Sequence, residues 1–401
     1  MARKVANAAP PSPTSAKRNL PKGWRMVRFG DVVRDVNESE RNPLAAGLER
    51  FIGLEHIEPE NLHLKRWGFL ADGEISFTRR FRKGQVLFGK RRAYQRKVVV
   101  AEFDGICSSD LLTFEPKDDS LIPELLPFIV QSDGFLEHAL GTSSGSLSPR
   151  TRWSQLQDYE FPLPPKDEQR RIADILWAAD EVIEIYRALL KQAVENENHA
   201  FDTTLAQHSR NTDVSVPLER VVARFIDYRG KSPAKTGAGI PLVTAKNVRN
   251  GYISLEPREF IAEDGYDEWM RRGIPGADDL LFTTEAPLGF VSRVPRFRFA
   301  LAQRIICLHP DTTIIDPSFL FWGMRSQVVQ RRILQMATGT TVFGIKQSNL
   351  RKLLFPLPSR KVQEVIARMC NAMELARIAV ESHLSGSIDF RKTLGREMLL
   401  P

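Results

Sequence analysis

Residues 79 to 97, RRFRKGQVLFGKRRAYQRK, hold nine Lys or Arg and no Asp or Glu. Within them Lys90, Arg91, Arg92, Tyr94, Gln95 and Arg96 follow the apolar run QVLFG, which places them on an exposed loop or strand edge. Ammonium and guanidinium groups meet phosphate oxygens, and Arg and Gln carry directional donors and acceptors that match base edges. The chemistry open to this stretch is recognition of DNA, with Arg or Gln reading bases and lysines on phosphates. A solvated basic surface, or one docking an acidic partner, is the competing reading. A second, less cationic set lies further on: Lys246, Asn247 and Arg249 in TAKNVRNG, Thr283, Thr284 and Glu285 in FTTEAPLG, Gln303 with Arg304, and Lys346 with Gln347. Each of these residue types serves a DNA contact or a structural role.

Bond-making chemistry has no comparable cluster. The seven histidines show neither HExxH nor Cys/His spacing, so no metal site is expected. Cys107, Cys307 and Cys370 are far apart and odd in number, which excludes a disulfide framework and suits a reducing cytosol. YRGKSP carries the Gly-Lys-Ser end of a phosphate loop, but Phe225 stands where its first Gly belongs, so Gly230 and Pro233 read as a turn. The Asn/Asp-Pro-Pro-aromatic tetrapeptide of adenine methyltransferases does not occur.

Of the net charge of +8, half comes from four cations in residues 1–20, which lack an apolar signal core and read as a disordered basic tail. No apolar run approaches the roughly 18 residues that cross a bilayer, so no membrane role is expected.

The candidate residues need a frame, and the sequence writes that frame twice. FPLPPKDEQRRIADIL (161–176) and FPLPSRKVQEVIARMC (355–370) share seven of sixteen residues at an offset of 194. The same offset pairs Ser132 with Ser326, Pro116 with Pro310, and Leu87-Phe88 with Leu281-Phe282. Between these points the halves diverge, with RRAYQRKVVV in one and EAPLGFVSRV in the other. Each half runs through short apolar strands, a helical segment, a Gly/Ser/Thr-rich loop and a proline-marked start to a long helix.

From Asp167 the residues Ile172, Leu176, Ala179, Ile183, Tyr186, Leu190 and Ala193 recur at spacings of 4 and 3, a coiled-coil seam. The counterpart seam, Ile366, Met369, Met373, Val380 and Leu384, is less regular, and Ser385-Gly386-Ser387 is expected to break or kink it. Equivalence by repeat predicts that the two helices pair with each other, antiparallel, with a domain at either end.

The two FPLP-x(4)-Q-x-x-I-A helix starts, FRKGQVLFGKRRAYQRK, GADDLLFTTEAPLGFVSRV, DYRGKSP and the loops GTSSGSLSPRTRW and GTTVFGIKQSNL together resemble the specificity subunit of type I restriction-modification systems, over residues 21 to 401. The resemblance implies an α+β chain. Two similar mixed α/β target-recognition domains, 21–162 and 211–356, are joined by spacer helices, 163–210 and 357–401, and preceded by the tail 1–20. It further implies a non-catalytic, cytoplasmic protein in which each domain reads one half of a bipartite asymmetric DNA site. The implied partners are double-stranded DNA and two modification subunits that methylate adenine with S-adenosylmethionine. Restriction/translocase subunits using ATP and Mg2+ can join them; the chain itself needs no cofactor. A self-contained methyltransferase or nuclease with unrecognised motifs, and an interaction adaptor that does not bind DNA, are the alternatives.

Overall fold

The structure, a computed structural model, describes residues 20–73, 75–145, 148–208, 214–228, 232–339 and 342–399. The expected tail, except Leu20, and the expected turn at Gly230 fall outside them. The chain forms two compact units: residues 1–185 with 384–401, and residues 186–383. These limits differ from a division into domains and spacer helices, because each unit takes part of both long helices.

In chain order the first unit contains β1 (Arg25–Arg28), α1 (Phe29–Val32), β2 (Val33–Asp35), β3 (Arg50–Ile52), β4 (Gly68–Phe69), β5 (Arg79–Phe81), β6 (Val86–Gly89), β7 (Val98–Val100), β8 (Gly105–Cys107), β9 (Leu111–Pro116), α2 (Leu126–Gln131), α3 (Asp133–Gly141), α4 (Trp153–Leu156) and β10 (Glu160–Leu163). The long helix α5 (Lys166–His208) then leads into the second unit. That unit holds β11 (Val214–Pro217), β12 (Val222–Asp227), β13 (Ile240–Val243), β14 (Phe260–Ile261), α6 (Tyr266–Trp269), β15 (Leu280–Thr284), β16 (Leu288–Arg293), β17 (Ala300–Leu301), β18 (Ile305–Pro310), α7 (Pro317–Arg325), α8 (Gln327–Met336), α9 (Gln347–Arg351) and β19 (Leu354–Leu357), before α10 (Arg360–Leu399).

The repeat is structural. An antiparallel sheet of order β2-β9-β6-β7 recurs as β12-β18-β15-β16. A second sheet, β4-β3-β8-β5, recurs as β14-β13-β17, and the β3/β8 and β13/β17 pairs are both parallel. The first residues of β9 and β18, α3 and α8, α4 and α9, β10 and β19, and α5 and α10 all stand 194 apart. Local chemistry repeats too: the hydroxyls of Ser132 and Ser326 cap α3 and α8, accepting from the backbone N–H of Phe135 and Val329, each at 3.3 Å.

The repeated Gln is the strongest instance. Gln169 Oε1 accepts from Ile122 N at 2.9 Å, and its Nε2 donates to the carbonyls of Ser120 (2.8 Å) and Pro164 (3.0 Å). Gln363 does the same with Asp316 N (2.9 Å), Ile314 O (3.4 Å) and Pro358 O (2.9 Å). Both amides are 1 % exposed. The FPLP-x(4)-Q motif is therefore a clamp: its Phe enters the core beneath a two-stranded ribbon, β1/β10 or β11/β19, and its Gln ties the first turn of the long helix to the segment before α2 or α7. Aromatic packing fills the cores. Phe29 meets Phe135 at 4.8 Å in the first unit, and Phe201 meets Phe319 at 5.0 Å in the second.

Within the second unit α5 and α10 run antiparallel: Thr204 meets Met369, Glu197 pairs with Arg377, and Tyr186 stacks on His383. Within the first, Asp180 pairs with Arg391, and Leu399 shares a core with Ile172 and Leu176. Ile172, Leu176, Ile183 and Ile366 are buried, while Ala179, Tyr186, Leu190, Ala193, Met369, Met373, Val380 and Leu384 are partly buried. The expected break at Ser385-Gly386-Ser387 is absent. Helix α10 continues through it, because packing on both sides outweighs the roughly 1 kcal/mol that a helical Gly costs. A Cβ added at Gly386 or Gly395 meets nothing within 4 Å. Gly386→Ala and Gly395→Ala should each stabilise the protein by about 0.5–1 kcal/mol, read as a higher midpoint in urea.

Candidate nucleic-acid interface

Three loops converge in each unit by the same backbone bonds. In the first unit Lys90 N donates to Asp110 O (3.0 Å), Thr151 N to Lys90 O (3.0 Å), and Ser144 and Arg150 exchange N–H···O bonds at 3.0 Å. In the second, Thr284 N donates to Arg304 O (2.9 Å), Ile345 N to Thr284 O (3.0 Å), and Thr338 and Gly344 exchange bonds at 2.9 and 3.0 Å. These ten residues form five pairs, each at an offset of 194. The loop after β6 or β15, the turn before β9 or β18, and the Gly/Ser/Thr-rich loop thus form one site, built twice.

The side chains on this common frame differ. In the first unit Arg91 pairs with Asp110 at 3.2 Å and donates to Ser148 Oγ at 2.7 Å, and Arg150 reaches the same carboxylate at 3.1 Å. In the second, Glu285 pairs with Arg304 at 2.7 Å and Gly344 stands at the place of Arg150. Lys90 and Arg152 line a cleft of about 480 Å³ with Arg79, Phe77 and Trp153. Thr284, Glu285, Gln303, Arg304 and Lys346 line one of about 400 Å³. The first site sets Lys90, Arg91, Arg150 and Arg152 against Asp110; the second sets Arg304 and Lys346 against Glu285. Burial, reinforced by the nearby Arg79 guanidinium, lowers the Lys90 ammonium below its ordinary value. An incoming phosphate would relieve this crowding of positive charge.

The remaining expected residues lie elsewhere. Arg92 and Tyr94 are exposed on the turn after Arg91 and Gln95 is partly covered, but Arg96 points away from the cleft. Its guanidinium pairs with Asp133 (2.7 Å) and Glu60 (3.2 Å), a structural role that a run of like charges in the sequence conceals. Burial works against ionisation at Asp133, yet hydrogen bonds from Arg96 and Arg396 hold its carboxyl below the ordinary value. Lys246, Asn247 and Arg249 belong to the loop after β13, which does not line the cleft. Asn247 is buried, accepting from Thr244 and donating to the carbonyls of Ser254 and Pro257, so it has no group left for a base. Thr283 is fully buried and accepts from Phe290 N at 2.9 Å. Arg150 and Arg152 were not anticipated, although TRW follows the Gly/Ser-rich loop and aligns with the IKQ that holds Lys346.

Among the described residues no group of three or more His, Cys, Asp or Glu is placed to hold a metal ion. Burial pushes the thiols of Cys107 and Cys370 up to about 12, far from nucleophilic thiolates. No helix among the described residues is long and apolar enough to cross a membrane.

Residues 21–196 match the family described as the type I restriction modification DNA specificity domain. The type I restriction enzyme EcoDI specificity subunit of Escherichia coli is 28% identical over 176 residues, covering 41% of this chain and 37% of that protein. The putative type I restriction enzyme MjaX specificity subunit of Methanocaldococcus jannaschii is 21% identical over 394 residues, covering 88% of each. A structure solved in work on complex assembly and conformational transition of the type I R-M system matches with a TM-score of 0.59 at 20% identity, covering 95% of this chain and 97% of its own. The S subunit of a type I system from M. genitalium matches with a TM-score of 0.55 at 15% identity, covering 96% and 98%. These likenesses establish the fold.

Proposed function

We propose that this chain is the non-catalytic DNA-reading subunit of a type I restriction-modification system, each unit reading one half of a two-part, asymmetric site; the match of residues 21–196 to the type I DNA specificity domain and the similarity to specificity subunits support this reading. The observation that carries this reading is the convergence of three loops into the same site twice over, on matching backbone bonds and with different side chains. Identical frames with unlike decoration are what two half-sites of different sequence require. The helices of 43 and 40 residues each run without a break from one unit into the other.

The long helices also dock two modification subunits that methylate adenine. What supports this is their exposed apolar side chains, Val182 and Ile185 on α5 and Leu375 and Ile378 on α10. The chain contributes location and its partners the chemistry.

Co-expression of the full chain with an adenine methyltransferase subunit of a type I system, followed by methylome sequencing, should give methylated adenine in one two-part motif with a constant gap. A single continuous motif would overturn the two-domain reading, and methyl transfer by the chain alone would overturn the non-catalytic one.

A further inference from the structure

Arg91 and Asp110 in the first unit occupy the positions of Glu285 and Arg304 in the second, since Lys90–Asp110 and Thr284–Arg304 share one backbone bond and the residues correspond at 194. The ion pair is kept and its polarity is reversed: the guanidinium stands on the loop after β6 in one unit and on the turn before β18 in the other. We propose that this reversed pair is a specificity determinant, the element by which the two units come to prefer different bases. The inference rests on the DNA-reading function above.

Three observations carry it. First, neither pair is buried as a core bridge would be. Arg91 is 37% exposed and Asp110 17%, Arg304 53% and Glu285 38%. Second, the residue after each loop position, Arg92 or Ala286, is left-handed with φ of 56° or 47° although neither is Gly. Such conformations cost about 1 kcal/mol or more and persist where a site demands them. Third, the reversal leaves the charge of the pair unchanged while moving the donor. The two positions flank the paired ends of neighbouring strands, Gly89 with Leu111 in the first unit. The reversal therefore moves the guanidinium from the end of one strand to the end of its neighbour, about 4.8 Å away.

Chemistry assigns the targets. A guanidinium can present two parallel donors to guanine O6 and N7, and a carboxylate beside it can accept from the amino group of cytosine. The two units thus present the guanidinium and the carboxylate in opposite order.

The test is selection from a randomised DNA duplex pool by the full chain together with its methyltransferase. The unaltered chain should enrich a two-part sequence. The charge-swapped variant Arg91→Glu/Asp110→Arg should keep the spacer and the half read by the second unit, and change the preferred base at one or two positions of the other half. Glu285→Arg/Arg304→Glu should do the reverse. Because a swapped pair can misfold, Arg91→Lys serves as the second variant: it keeps the charge, loses the fork, and should lower discrimination at one position by roughly 5- to 150-fold with an unchanged melting temperature. Unchanged base preferences in all three variants, or a uniform loss of binding across sequences, would overturn the inference. If the unaltered chain enriches no two-part sequence, the proposed function itself fails and takes the inference with it.

Discussion

Asp180→Ala should cost the first unit about 3–5 kcal/mol, the largest stability loss expected of any single substitution at the long helices. The Asp180 side chain is fully buried, accepting from Arg391 and hydrogen-bonded to His63 Nε2 at 2.8 Å. Arg391 is only 5% exposed and also donates to Glu60 O (3.1 Å) and Gln131 Oε1 (3.3 Å). Burial lowers its guanidinium to about 10, which still leaves it charged at neutral pH. Removing the carboxylate leaves that buried charge with only the Glu60 and Gln131 groups beside it. Leu at both positions should recover much of the loss, because replacing a buried pair by apolar side chains is often neutral. Urea unfolding followed by hydrogen exchange of residues 384–399 measures both effects. A loss under 1 kcal/mol for Asp180→Ala would show that the pair is not what fixes this end of α10.

The second large effect belongs to the repeated Gln. Gln169→Ala and Gln363→Ala should each cost about 2–4 kcal/mol, since each deletes three hydrogen bonds and leaves a backbone N–H and carbonyls of a covered turn without partners, at roughly 1–3 kcal/mol per group left unsatisfied. Gln169→Glu, which nearly keeps the shape, should be at least as damaging, because a carboxylate would face the carbonyl oxygens of Ser120 and Pro164. At about 2–4 °C per kcal/mol for a unit of this size, scanning calorimetry resolves the shift. Tolerance of Gln169→Ala with no change in melting would mean that the proline ribbon alone fixes the helix start.

The frame was legible in the sequence because repetition is visible without knowing what is repeated. One offset located matching strands, caps and helix starts, and Ser132/Ser326 and Gln169/Gln363 prove to do the same work in both units. The polar interior of the helix pairing was not legible. Apolar spacing points to Met369 and Met373, whereas the buried positions of α10 include Cys370 and Arg391, and those of α5 include Asp180 and Glu197. A carboxylate on a seam counts against the pattern until its partner is known. Glu197 finds that partner in Arg325 and Arg377, at 3.1 and 2.7 Å.

The candidate site was legible in part for a related reason. Charge density marks Lys90 to Arg92 but does not separate Arg91, which pairs with Asp110 where the three loops converge, from Arg96, which is turned to Asp133 and Glu60. In the second unit the same density is missing, so Glu285 and Arg304 looked unremarkable singly and gain meaning only as the counterparts of Arg91 and Asp110. Asn247 has the right side chain for adenine, yet the turn around Ser254 and Pro257 occupies it fully.

The first unit is closed by residues 384–399, roughly 200 positions beyond Ile185. A ribosome adding about 5–20 residues per second needs on the order of 10–40 s to cover that distance. Throughout this interval the carboxylate of Asp180 has no Arg391 and the apolar surface around Phe128 and Leu176 has no lid, although every other strand and helix of the unit has been made. The nascent first unit therefore waits, sticky and incomplete, while the second is synthesised. The order of translation sets which of the two can finish folding first.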